Sequence, residues 1–347
     1  MNDEVEVKQK DRRRFRWWWL VVGILGVFTL IVGGLFIWPL GVPAAPEPAG
    51  ASSFEEAIAL YDEVRAQEET LDLDERCLSR LASPGVATES VVVLVHGFTN
   101  CPAQFDQLVA ELANEDTTVY VPRMPRHGLA DKLSTKPGDL DIDELIAFAD
   151  TTANIAVGLG DEVTVAGLSA GGVIAAWMAE TRPDLDRVVV MAPSIGFKAI
   201  PTSAGRPFTN LIRILPGFTW WWDSDLKEKL AGPEYAAPFF ITSEIGEFFR
   251  IGHQILEGTG DPPTAELVLL TNANDDAISN SYAVGLAQLW RDQGAKVTAC
   301  NFAPDLRLPH DFIDPNQEAQ DIEDSYPVVI RALSGDLESL AERIECS

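Results

Sequence analysis

The sequence predicts an α/β fold: a doubly wound, mostly parallel sheet carrying an inserted lid and preceded by one transmembrane helix. Three observations carry this expectation. From residue 91 onward, short continuous runs of aliphatic and β-branched residues alternate with segments of helical spacing, the pattern of strands buried on both faces and their crossover helices. Between residues 193 and 263 the alternation breaks down into a long segment rich in aromatic residues. Residues 17–40 form 24 consecutive positions without a charge.

That apolar stretch comes first in the chain. As a helix it would extend about 36 Å, against a hydrocarbon core of about 30 Å. Trp17, Trp18 and Trp19 at one end and Trp38 at the other match the aromatic belts at the two interfaces of a bilayer. Lys8, Lys10, Arg12, Arg13, Arg14 and Arg16 precede the span, and no basic residue follows it until Arg65. This predicts a cytoplasmic basic tail over residues 1–16, a single pass through the cell membrane over 17–40, and an extracytoplasmic remainder. The competing reading is a cleaved secretory signal, since Ala49-Gly50-Ala51 resembles a small-residue cleavage site. Signal cores, however, run only about 7 to 15 residues, so an uncleaved anchor is preferred.

Pro43, Pro46 and Pro48 predict a stiff, extended linker over residues 41–52 that lifts the globular domain, residues 53–347, off the bilayer. Ser52 or Ser53 is expected to cap a helix running from Phe54 towards Ala66, with Glu55 and Glu56 in its first turn. The net charge is −27, and the basic tail makes the remainder still more acidic. Such a surface repels phosphate backbones and anionic headgroups, which excludes a nucleic-acid partner.

Within the domain, residues 91–95 (VVVLV), 117–121, 162–165, 187–191, 266–270 and 296–302 read as strands. Residues 102–113, 143–159, 173–178 and 279–292 read as helices. The insertion, about 193–263, contains Phe208, Phe218, Trp220, Trp221, Trp222, Phe239, Phe240, Phe248 and Phe249, which suits a lid walling a site with apolar rings. Most of these rings are expected simply to pack the lid on the sheet. Three consecutive tryptophans cannot all face inward, so at least one of Trp220 to Trp222 is expected to meet substrate or a membrane surface.

The chemistry is concentrated at residues 165–171, VAGLSAG, where a strand gives way to a helix through a tight turn. Ser169 stands at the apex. A serine hydroxyl is a weak nucleophile at neutral pH and must be presented where a base reaches it and a backbone N–H faces the developing oxyanion. Gly167 and Gly171 meet that need, because a side chain on either would strike neighbouring backbone. Of the four histidines, His310 follows the last long strand in a loop at its carboxyl end, where open α/β sheets bind ligands. Residues 274–279, NDDAIS, follow the preceding strand and offer an acid, Asp275 or Asp276, to hold the imidazole. His96 is expected to shape the loop after the first strand, His127 and His253 to pack at the surface or under the lid, and Asp311 and Asp314 to organise the His310 loop.

HGFTNCP at 96–102, GLSAGG at 167–172, NDDAIS at 274–279 and LPHDFIDP at 308–315 together resemble the α/β-hydrolases, particularly bacterial carboxylesterases and monoacylglycerol-lipase-like serine hydrolases. The resemblance spans roughly residues 75–335. It implies Ser169 as nucleophile, His310 as base and Asp275 as acid, because the family commonly has an aliphatic residue three positions on, where Ile278 stands; Asp276 remains a competitor. It implies an oxyanion hole made by the backbone N–H groups of Phe98 and Ala170, hydrolysis of a small-molecule acyl ester through an acyl-enzyme, and neither metal nor cofactor. An aminopeptidase of the same fold is the second reading, with Glu244 or Glu247 clamping a free amino terminus. A non-catalytic ligand-binding module is the third. One departure is Arg126-His127-Gly128, where the family often has Gly-His-Gly, which puts the shape of that loop in question. Cys77, Cys101, Cys300 and Cys346 allow three pairings or none. A Cys77–Cys101 bridge would brace the segment carrying Phe98, and a reduced, buried state is the alternative.

Overall fold

The computed structural model describes residues 2–221, 233–258, 260–317, 320–336 and 344–347, leaving aside the side chains of residues 2–16. Trp222, singled out above, lies outside the described residues.

Helix α1 (Asn2–Ile37) contains the apolar span Trp17–Ile37, 21 residues of mean hydropathy 2.7, exposed over most of its length and buried at Leu35 near its end. The helix stops at Ile37 and not at Leu40, because Pro39 disfavours helical backbone at Trp38 and supplies no N–H itself. The following segment does not stand away from the domain as expected. Arg213 and Arg250 donate to the carbonyls of Pro39 and Leu40 (2.9 Å each), and Ala51 N–H donates to Asn154 O (2.9 Å). A proline-stiffened strand has no internal hydrogen bonds, so its carbonyls are free to take these donors. Helix α2 (Phe54–Glu68) follows, capped by Ser53, whose hydroxyl accepts from Glu56 N–H.

The main sheet has eight strands in the order β1-β3-β2-β4-β5-β8-β9-β10. The six inner strands, β3 (Thr117–Val121), β2 (Thr88–Val95), β4 (Gly160–Leu168), β5 (Arg187–Met191), β8 (Glu266–Asn272) and β9 (Val297–Phe302), are parallel. The edges, β1 (Arg80–Ala82) and β10 (Ile344–Cys346), are antiparallel three-residue strands. Alternation along β2 shows why these runs are apolar throughout: Val91, Val93 and Val95 enter one core and Val92 and Leu94 the other. The first core takes helices α4 (Ile142–Leu159), α5 (Ala170–Thr181) and α8 (Asn280–Asp292), and the second takes α3 (Asp106–Leu112) and α9 (Ile322–Ser334).

Strands β5 and β8 are sheet neighbours, so the long segment between them is an insertion. Its described part comprises helix α6 (Thr202–Ile214), the hairpin β6 (Thr219–Trp221) with β7 (Phe239–Ile241), and helix α7 (Thr242–Leu256). All four cysteines are paired, Cys77 with Cys101 and Cys300 with Cys346.

Candidate active site

Ser169 sits between β4 and α5 at φ 58°, a backbone conformation that side chains rarely adopt. The backbone is closely packed around it: a Cβ on Gly167 would stand 2.0 Å from Gly171 O, and one on Gly171 would stand 2.0 Å from Val95 O. The turn therefore crosses directly over the end of β2, and its strain, typically about 1–3 kcal/mol, is held by the two strands beneath.

The structure brings together three of the expected side chains. His310 Nε2 lies 2.9 Å from Ser169 Oγ, and His310 Nδ1 lies 2.6 Å from Asp275 Oδ2. The other carboxylate oxygen of Asp275 accepts N–H bonds from Ala277 and Ile278, each at 3.0 Å. Asp275 is buried and Asp276 is exposed, which separates the two candidates. Burial alone would raise the Asp275 pKa, yet hydrogen bonding and attraction to His310, with the two N–H donors, hold it below the ordinary carboxylate value. Burial likewise opposes the His310 imidazolium, but its bond to Asp275 and the charges of Asp275, Asp311 and Asp276 leave its pKa raised. Such a histidine is well matched to receive a proton from Oγ.

The His310 loop is fixed by residues that pattern reading only partly identified. Asp311 Oδ1 accepts from Ile313 and Asp314 N–H (3.2 and 3.1 Å), as expected of a loop organiser. Its Oδ2 accepts from Gln104 Nε2 (2.8 Å), while Gln104 Oε1 accepts Gly97 N–H (2.7 Å). Gln104, not singled out in the sequence, thus ties the His310 loop to the loop of Phe98. Asn272 donates to the carbonyls of Leu308 and Pro309 (2.7 and 2.8 Å), and Tyr235 donates to Asp314 (2.8 Å). Nothing local in the sequence marks these long-range bonds.

Among the described backbone hydrogen bonds, the N–H groups of Phe98 and Ala170 have no backbone acceptor; Ala170 directly follows Ser169, and Phe98 lies in the loop after β2 on which the turn packs. His96 shapes the first of these segments: its Nε2 accepts Met124 N–H (3.0 Å) while Nδ1 bonds Gly97 O (2.9 Å), and burial keeps it neutral. The bonding assigns the proton to Nδ1. His127 is buried against Phe98 and Phe248, and His253 packs on Tyr282. Arg126 takes φ 65°, the left-handed backbone that favours glycine. Its guanidinium bonds Glu144 (2.9 Å), and buried Arg123 donates to His127 O (3.0 Å). Gly128 passes so close to Cys77 that a Cβ there would lie 2.6 Å from its side chain.

A cleft of about 480 Å³, its open mouth included, lies between this loop and the lid, walled by Phe98, Arg126, His127, Phe240 and Glu244 among others. Among the described residues no cluster of three or more His, Cys, Asp or Glu side chains is placed to hold a metal ion.

Residues 92–316 match the model of the alpha/beta hydrolase family. The thermostable monoacylglycerol lipase of Bacillus sp. (strain H-257) is 32% identical over 115 residues, 31% of this chain and 42% of that protein, so the match spans about two fifths of the relative's length. Among solved structures, one described with LipS and LipT, two metagenome-derived lipolytic enzymes, aligns with TM-score 0.54 at 15% identity over 76% of this chain and 98% of its own. A soluble variant of monoglyceride lipase from Saccharomyces cerevisiae aligns with TM-score 0.51 at 12% identity over 74% and 91%. At these identities the structural likeness speaks to the fold.

Proposed function

Because the chain belongs to the alpha/beta hydrolase family, we propose that it is a serine hydrolase of carboxylic esters, with Ser169 as nucleophile, His310 as general base and acid, and Asp275 as the group orienting the imidazole. The observation carrying this reading is the unbroken hydrogen-bonded chain from Ser169 through His310 to Asp275. His310 takes the Ser169 proton as Oγ attacks the acyl carbonyl, and the N–H groups of Phe98 and Ala170 receive the oxyanion. His310 then returns the proton to the departing alcohol. Water, activated by the same imidazole, releases the acid from the acyl-enzyme. A monoacylglycerol or another medium-chain ester is the substrate class in keeping with the names of the lipases to which the chain is similar, and Phe98, Phe239 and Phe240 offer apolar surface in a cleft whose walls also carry polar side chains.

The domain is read as extracytoplasmic, held by the span Trp17–Ile37 as an uncleaved membrane anchor. The aminopeptidase reading is the less favoured one. Burial pushes the Glu244 carboxyl up to about 8, which disfavours the charged form that an acidic clamp needs, and Glu247 is paired with Arg250. A silent binding module would have no use for a hydrogen-bonded triad on a strained turn.

The test is labelling of the protein with a fluorophosphonate, followed by turnover of a nitrophenyl ester series beside an aminoacyl amide. Labelling abolished by Ser169→Ala together with ester turnover supports the proposal. Preference for the amide, or no labelling of folded protein, overturns it.

A further inference from the structure

The exit of the apolar helix is bound to the lid. The last carbonyls of a helix lack intrahelical partners, and here Asn210 Nδ2 donates to Leu35 O (2.9 Å) and Trp38 O (3.1 Å), joined at Trp38 by Arg206 (3.2 Å). Arg213 continues to Pro39 O, and Arg250 to Leu40 O and Gly41 O. These four donors belong to the lid helices α6 and α7. Positions 206, 210 and 213 share one face of α6, so a whole helical side is committed to this exit.

This docking fixes a depth. At 1.5 Å per residue, Leu35 lies about 3 Å inside the end of the span at Ile37. A side chain of α6 bonded to the Leu35 carbonyl therefore stands where hydrocarbon meets headgroups. The adjoining lid edge is unusually apolar and open: Leu211 is 37% exposed, Ile214 50%, Leu215 44%, Phe218 47% and Trp220 50%. In a chain of net charge −27, residues 206–221 contain two arginines and no acid. Arginines over apolar side chains and an exposed tryptophan are the composition of an interfacial segment. From that edge a chain of rings leads inward. Trp220 stacks on Phe240 at 6.3 Å, and Phe240 meets Phe98 at 5.6 Å, reaching the loop beside Ser169.

We propose that the lid edge formed by Leu211, Ile214, Leu215, Phe218 and Trp220 is a second membrane contact, resting in the interfacial layer of the bilayer that the helix crosses, and that acyl lipid enters the cleft from that layer. The proposal rests on the anchor and ester-hydrolase readings above and names where the substrate comes from. The occupant is lipid; a second copy of the chain is an outcome the test excludes.

All four native cysteines are paired, so an introduced thiol takes a dye selectively. The full chain carrying Ile214→Cys labelled with an environment-sensitive fluorophore is reconstituted in phosphatidylcholine vesicles with brominated acyl chains. The same dye at Val86, 61% exposed and ahead of β2, is the control. Bromine quenching at 214 several-fold stronger than at 86 is expected. Equal, water-like emission at both positions overturns the proposal, and so does a blue-shifted dye at 214 that bromine does not quench, since that means a second copy covers the edge. In a second arm, a Leu211→Glu, Ile214→Glu variant keeps its turnover of a water-soluble short ester within twofold while losing at least tenfold on monoacylglycerol presented in vesicles. Undiminished vesicle turnover overturns the entry route. Quenching at 214 without turnover of any ester by the unaltered protein would sink the hydrolase reading and leave the membrane contact standing.

Discussion

Asp275 Oδ2 lies 2.6 Å from His310 Nδ1 while its partner oxygen is held by two backbone N–H groups, so the carboxylate has one orientation and one imidazole tautomer to select. An amide at this position would present the wrong group to Nδ1. Asp275→Asn is expected to lower kcat for a nitrophenyl ester by about 10⁴-fold. Asp276→Asn, at an exposed neighbour, should stay within a few fold.

Turnover should follow the charge of His310. The base must be neutral to accept the Ser169 proton, and its pKa is raised above 6.5. The acid limb of a kcat/KM profile is therefore expected above pH 6.5, activity falling as pH drops through it. With the Asp275 charge removed, the limb should move to lower pH, measurable in the residual activity of Asp275→Asn.

Ser169 and His310 act as one unit in the proposed mechanism. Ser169→Ala and His310→Ala should each reduce ester turnover by about 10⁴-fold or more, and the double variant should be scarcely worse than either single one. Unchanged thermal melting of Ser169→Ala would show that the loss is chemical. Additive losses would separate the two residues.

Arg126 offers a test of backbone strain. At φ 65° glycine is favoured, so Arg126→Gly relieves strain while losing the exposed bond to Glu144, and Arg126→Ala loses the bond without the relief. The glycine variant is expected to exceed the alanine variant by about 1 kcal/mol in urea unfolding.

Glu244 links lid stability to pH. Its folded pKa of about 8 lies above the ordinary 4.5, so the folded chain holds this proton more tightly than the unfolded chain. That contribution is fully present below about pH 4.5 and lost as pH rises to about 8. Glutamine has no such proton to lose. Glu244→Gln should therefore melt several degrees higher at pH 9 and no higher at pH 4, as read by differential scanning calorimetry.

Much of the framework was legible because it depends on local pattern. Strands such as 91–95 are apolar throughout since both faces are covered, and VAGLSAG announces its turn because Gly167 and Gly171 have no room for a Cβ. Motif register favoured Asp275 over Asp276 without excluding the latter; in the structure Asp275 is buried and accepts Ile278 N–H, whereas Asp276 is exposed. The edge strands β1 and β10, three residues each, are too short to show a period. Arg126 stands where the resemblance expects glycine, and its left-handed φ is a conformation that its residue type does not announce. The docking of residues 35–41 on the lid joins positions some 170 to 210 apart in sequence, and proline content signalled an extended segment without saying where it lies.

The bridge between Cys300 and Cys346 also bears on how the protein behaves in company. It locks β10 against β9, covering ladder groups that another chain's strand would otherwise read as a template. Three residues of backbone pairing are a weak closure without that covalent tie. In a reducing medium the border of the sheet is free to peel open, and self-association should then rise with concentration even while Ser169, at the end of β4 and four strands away along the sheet order, keeps its geometry.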